Sequence, residues 1–181
     1  MKAKLYTGLG DGGKTGVIGS GRYSKAHRLF EALGSIEELS ALLGIVKASI
    51  SPAAEKELLT SVQRSLYRLM AQLSASQSRS SVVYFTMDEL TLLETDIENL
   101  SKDIEMPGGF IIPGDSIPSA QMDLARAVSR RVERRVVELF AKNRPDQAHI
   151  LAYVNRLSTL LFILELRLIQ QSESQRITMA K

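Results

Sequence analysis

The sequence predicts an all-α protein built as an antiparallel bundle of five helices. Three observations point there. Apolar residues recur at three- and four-residue steps in five separate stretches, breaks rich in serine, glycine and proline divide those stretches, and no strand-like alternation runs longer than Val82 to Phe85. With 181 residues, 44% of them hydrophobic, the chain is sized for one domain with a sizeable core. Residues 1–181 are therefore read as a single domain, with 1–24 a glycine-rich N-terminal loop and 25–171 the bundle.

The stretch up to about Ser24 lacks helical periodicity, which predicts an ordered loop or a flexible tail. Leu29, Phe30, Leu33, Ile36, Leu39, Leu43 and Val46 then line one face of a helix from about Lys25 to Ala48. Ser51 reads as an N-cap with Pro52 at the first helical position, opening a second helix along Leu58, Val62, Leu66, Leu69 and Leu73. Ser74 to Ser81 is mostly serine and polar, a natural linker. Thr86 and Glu89 make a capping box that starts a third helix through Leu90, Leu93, Ile97, Leu100 and Ile104. Pro107, Gly108, Gly109, Pro113 and Gly114 break the pattern and leave Phe110, Ile111 and Ile112 in a non-helical loop. A fourth helix is expected from about Ser119 to Lys142 and a fifth from about Pro145 to Gln171. Leu160 to Leu166 is apolar nearly all round apart from Glu165, which predicts a central place for the fifth helix.

Composition narrows the chemistry. No cysteine is present, so disulfides, thiolate metal sites and cysteine nucleophiles are excluded together. A net charge of +3, with 20 acids interspersed among 23 bases, argues against a nucleic-acid partner. Met1 to Gly10 lacks the apolar core of a signal peptide, and no later stretch reads as the roughly 18 apolar residues of a membrane span. The expectation is a soluble, cytoplasmic protein with no membrane partner. His27 and His149 fall on different helices without carboxylates at ligand spacing, so neither predicts a zinc or haem site.

Three segments carry more polarity than a bundle needs. In Tyr6 to Thr15 the glycines would let backbone N–H groups approach a phosphate, with Lys14 and Thr15 as further donors. It is not a P-loop, lacking a preceding strand, and taken alone it reads first as a glycine-rich tail. On the fourth helix Arg126, Arg130 and Arg134 share one stripe with Glu133 nearby, while Arg131 and Arg135 turn partly away. Guanidiniums stacked within a turn repel unless an anion or carboxylates sit among them; the other reading is a solvated basic face. Tyr153 to Ser158 places Asn155 and Arg156 just before the most apolar run of the fifth helix, where buried polar groups would need partners and exposed ones would not.

Together these segments resemble the PduO-type ATP:cob(I)alamin adenosyltransferases over nearly the whole chain. The family's glycine-rich pattern matches Tyr6, Thr7, Gly10, Asp11, Gly13 and Thr15. The next block is similar to Arg22, Lys25, Gly34, Glu37, Glu38, Leu39, Ser40 and Leu43-Gly44. The loop Phe110 to Gly114, the helical run Ala125 to Arg134, Tyr153 and Asn155 to Ser158 complete the set. Departures fall mainly on the cobalamin side: Glu37 and Ser40 replace the usual aspartate and asparagine, Met122-Asp123 a leucine-histidine pair, and Thr159 an aspartate, while Gly8 stands where a basic residue is common.

The resemblance implies a homotrimer with active sites between subunits, and transfer of the 5′-deoxyadenosyl group of ATP to cob(I)alamin. ATP would be held by Thr7, Gly10, Asp11, Gly12, Gly13, Thr15, Lys25, Arg130, Glu133, Arg134 and Asn155, with Mg²⁺ on its phosphates. Cobalamin would meet Glu37, Phe110 and Arg126. Phe110, Arg126 and Arg130 would have catalytic roles, Phe110 crowding the lower face of the corrin ring and Glu37 pairing with Arg126. From the residues alone Phe110 is equally a core plug. An adenosylcobalamin-dependent mutase and a reductase are the implied partners. Two other readings stay open at this point: an ATP-binding sensor or delivery protein with little turnover, and a small helical interaction module.

Overall fold

The computed structural model describes residues 5–17, 20–74, 84–140, 147–172 and 176–180. Five helices follow one another, α1 (Arg28–Ser49), α2 (Ala53–Ser74), α3 (Met87–Ser101), α4 (Ile117–Leu139) and α5 (Ala148–Gln170). Helix α5 packs against α4 and α3, and α1 packs against α4 and α2. The expected central role of α5 follows from its sequence: Ile150, Val154, Leu157, Leu160, Leu161, Leu164 and Leu166 are all buried, on every side of the helix. This helix is long and apolar enough to cross a membrane, which the sequence reading did not anticipate. Its apolar surface is instead spent inside the bundle, against Leu39, Leu43, Leu66, Leu69 and Val132 among others.

Helix ends follow capping chemistry more closely than apolar periodicity. Helix α1 starts at Arg28 rather than Lys25, because His27 caps it: its Nδ1 accepts from the Leu29 N–H at 3.2 Å. Helix α2 opens one residue after Pro52, whose carbonyl accepts from the Lys56 N–H. The Thr86–Glu89 capping box forms as predicted. Helix α4 starts two residues before Ser119 because Ser116 and Ser119 cap it reciprocally, with a proline in the first turn. Helix α3 ends at Ser101, so Ile104 leaves the helix and joins Ile163 and Leu166 in a small second cluster. Most of the serine linker and the junction before α5 lie outside the described residues.

Two short β features accompany the five helices without changing the all-α class. The N-terminal loop closes into an antiparallel hairpin, β1 (Lys14–Val17) against β2 (Ser20–Ser24), with Thr15 opposite Tyr23. Strands this short and glycine-rich have no alternating apolar face, so periodicity cannot reveal them. At the other end, residues 176–180 form an isolated antiparallel bridge with the Phe110 loop, Ile111 opposite Met179.

Candidate functional site

On α4 and α5 the polar residues singled out from the sequence come together. Glu133 and Asn155 face each other across the two helices, and the Asn155 Nδ2 donates to Glu133 Oε1 at 2.8 Å. Arg134 donates back to the Arg130 carbonyl at 3.1 Å. Arg130, Glu133, Arg134 and Val137 line an open concavity of about 310 Å³. Arg130, Arg134 and Asn155 are exposed, so two guanidiniums face solvent beside one carboxylate that Asn155 holds in place. Such a face suits an anion, because a phosphate can accept from both guanidiniums and pair the charges it desolvates.

The glycine loop is a second, separately organised unit. Gly13 donates to the Gly10 carbonyl and Asp11 to the Gly8 carbonyl, each at 3.2 Å, and Leu9 donates to the Thr7 hydroxyl. Gly8 and Gly13 adopt φ of 71° and 72°, the left-handed region that a β-carbon disfavours. Arg22 spans the loop, donating to the carbonyls of Leu9 and Lys14. Lys25 lies against Gly10 so closely that a β-carbon there would sit 3.2 Å from its ammonium nitrogen. Gly12 has open space around it. The loop thus gathers the glycine backbone, the Thr7 and Thr15 hydroxyls and the Lys25 ammonium on one unit. The turn bonds of the loop and those of Arg22 lie within residues 7–22, while the Asn155–Glu133 and Arg134–Arg130 bonds lie within α4 and α5.

On the expected cobalamin side, Phe110 is 87% exposed, which rules out the core-plug reading of this side chain within the chain. Arg126 is half-buried and Glu37 is exposed. The anticipated pair between them does not form within the chain. Both the Nη2 and Nε of Arg126 donate to Asp123 Oδ1, at 2.6 and 2.9 Å, and its Nε lies 3.8 Å from Glu165 Oε2. A partner one turn away on the same helix needs less side-chain ordering than one on another helix, and Asp123 supplies it. Helix α1 is tied to α4 by its neighbours instead, through Glu38 to Arg131 and Glu31 to Arg135.

Glu165 gains a part that periodicity alone did not assign it. It is fully buried, and neither carboxyl oxygen has a hydrogen-bond partner. Burial pushes its pKa up to about 7, with the Asp123 carboxylate adding to the rise and the Arg126 guanidinium opposing it. The sequence did carry a signal here, a lone charge in an apolar run. The contact between Asp115 and Thr178 carried none, since its partners are 63 residues apart in unrelated segments.

Among the described residues no cluster of three or more His, Asp or Glu stands ready for a metal ion.

The chain is similar in sequence and fold to known proteins. The corrinoid adenosyltransferase of Bacillus subtilis is 36% identical over 164 residues, covering 88% of this chain and 83% of the relative. The corrinoid adenosyltransferase PduO of Salmonella typhimurium is 32% identical over 162 residues, and the chain spans 48% of that longer protein. Among solved structures, a variant of the PduO-type ATP:corrinoid adenosyltransferase from Lactobacillus reuteri, complexed with cobalamin and ATP, superposes with a TM-score of 0.86 at 26% identity, covering 98% of this chain and 99% of that one. Residues 5–168 match the sequence model of the cobalamin adenosyltransferases, a span that takes in the glycine loop, the arginine face and Asn155, and on these grounds the chain belongs to that family.

Proposed function

We propose that this chain transfers the 5′-deoxyadenosyl group of ATP to cob(I)alamin, giving adenosylcobalamin and triphosphate. The observation that carries this is the Asn155–Glu133 pair beside Arg130 and Arg134, together with a glycine loop that holds Lys25 against Gly10. In the reaction the electron pair of cobalt(I) forms the bond to the 5′ carbon, and the carbon–oxygen bond breaks with its pair departing on the triphosphate. Cobalt(I) is itself the nucleophile, so no residue has to supply one and no general base is needed.

What the protein supplies is alignment and charge neutralisation. Arg130, Arg134 and Lys25 offset the negative charge that grows on the leaving triphosphate. The N–H groups of Gly10 and Gly12, with the Thr7 and Thr15 hydroxyls, cradle the phosphates, while those of Asp11 and Gly13 hold the turns that shape the loop. Glu133, fixed by Asn155, accepts from the nucleoside or orients Arg130. Phe110, exposed at the head of its loop, meets the apolar lower face of the corrin ring, and Arg126 borders the same substrate. Mg²⁺ is carried on the phosphates.

The loop and the arginine face are both open to solvent and each is internally bonded, which supports a homotrimer in which the site is completed between subunits. The product then passes to an adenosylcobalamin-dependent mutase, a reductase supplies the electron for cobalt(I), and the work takes place in the cytoplasm. The test is to reduce cobalamin anaerobically, add MgATP and follow the absorption spectrum for an alkylcobalt species. Binding of ATP without that species would point to the sensor reading, which the capture of Arg126 by Asp123 favours.

A further inference from the structure

The loop carrying Phe110 is fastened from outside the bundle, by the C-terminal segment 176–180. The Ile112 N–H donates to the Thr178 carbonyl and the Ala180 N–H donates to the Phe110 carbonyl, both at 2.8 Å. Asp115 grips the same segment with both oxygens: Oδ2 accepts from the Thr178 N–H at 2.9 Å and Oδ1 from the Thr178 hydroxyl at 2.7 Å. These bonds, and the nearby positive charge of Arg176, hold the Asp115 carboxyl below its usual range, so it is ionised when it accepts them. Beneath the bridge, Ile111 and Ile177 pack side by side onto Ile104, Ile163 and Leu166. Met179 approaches Gly109 so closely that a β-carbon there would meet its methyl at 3.4 Å.

The arrangement has a direction. The anchoring residues Ile111 and Ile177 point into the bundle, whereas Phe110 and Ile112 on the other side of the bridge are 87% and 49% exposed. A bridge of period two delivers this alternation, so the tail sets which face of the loop is presented. Gly114, at φ 126°, lets the chain turn from the loop to bring Asp115 under Thr178.

We propose that Asp115 and Thr178 form a clasp that positions Phe110 against the corrinoid, making both of them positioning residues of the cobalamin site. This rests on the reading of Phe110 as the residue that meets the corrin ring. An unclasped loop must be ordered by the substrate itself, and that cost appears in cobalamin use and not in ATP use.

The experiment compares Asp115→Ala, Thr178→Val and Thr178→Ser with the full-length wild-type chain and with Phe110→Ala, measuring KM and kcat for cob(I)alamin and for ATP. Amide exchange at Ile112 and Ala180 is read alongside. Asp115→Ala is expected to lower kcat/KM for cobalamin about tenfold, the factor that roughly 1.4 kcal/mol represents, while KM for ATP stays within about twofold. Both amides should exchange faster. Thr178→Ser, which keeps the hydroxyl, should behave as wild type, and Thr178→Val should fall between. If Phe110→Ala impairs cobalamin use and Asp115→Ala does not, or if Asp115→Ala impairs ATP and cobalamin use alike, the clasp is not a positioning device and the reading of Phe110 stands. If Phe110→Ala itself leaves cobalamin use unchanged, that reading fails and the clasp falls with it.

Discussion

Replacing Glu165 by glutamine removes one buried ionisable group and little else, because the two side chains have nearly the same shape. The folded protein holds the Glu165 proton up to about pH 7, against an ordinary value of 4.5. Between those limits the native state is protonated and the unfolded chain is not, so stability falls as pH rises. Above about 7 the carboxylate is ionised in both states, and its burial with no hydrogen-bond partner costs a constant amount. The gap corresponds to about 3 kcal/mol in full, of which roughly 2 to 3 kcal/mol develops between about pH 5 and pH 8. Glutamine cannot ionise and should lack this slope. Urea unfolding of both proteins, followed by far-UV circular dichroism at those two pH values and at one fixed concentration, gives the comparison directly. The stability of Glu165→Gln relative to wild type should rise by about that amount on going to the higher pH. Parallel pH profiles would refute the reasoning and mean that Arg126 neutralises the buried carboxylate after all.

Other perturbations probe the nucleotide side and the corrected contacts. Arg130→Ala and Glu133→Ala should each lower ATP-dependent turnover at least about tenfold, the loss of a charge-assisted contact, with an unchanged helical circular dichroism spectrum. Gly13→Ala forces a β-carbon onto a φ of 72° and should raise KM for ATP by up to about tenfold, while leaving the melting temperature of the bundle nearly unchanged. Proteolysis within residues 7–15 should slow on addition of MgATP, since phosphate contacts offset the entropy of fixing so many glycines; equal cleavage with and without nucleotide would count against that loop as a phosphate cradle. Glu37→Ala should change stability by less than about 0.5 kcal/mol in chemical denaturation, as expected of an exposed side chain with no partner among the described residues.

The five helices were legible because each must bury an apolar stripe, and a period near 3.6 writes that requirement into the sequence. The ends were less legible: Thr86 and Glu89 announced α3, whereas the expected start of the fourth helix at about Ser119 missed the Ser116 cap and fell two residues late. The hairpin at Lys14 to Ser24 was hidden because it buries no apolar face, being held by backbone pairing and by Arg22. At the site, Asn155 and Glu133 were foreseen on neighbouring helices and do meet. The choice of partner by Arg126 was not legible: Asp123 lies in reach by helical spacing, but its competition with Glu37 and Glu165 turns on distances that only the packed bundle fixes. The same is true of Asp115 and Thr178, which are brought together by the small cluster around Ile111 and Ile177.

The most direct measurement of the central claim is the fate of the phosphates during a single turnover with cob(I)alamin and MgATP, read by phosphorus NMR beside the cobalamin spectrum. Attack on the 5′ carbon predicts one equivalent of intact triphosphate for each alkylated cobalt. Release of ADP and phosphate, or triphosphate formation without a matching alkylcobalt species, would contradict adenosyl transfer by this chain.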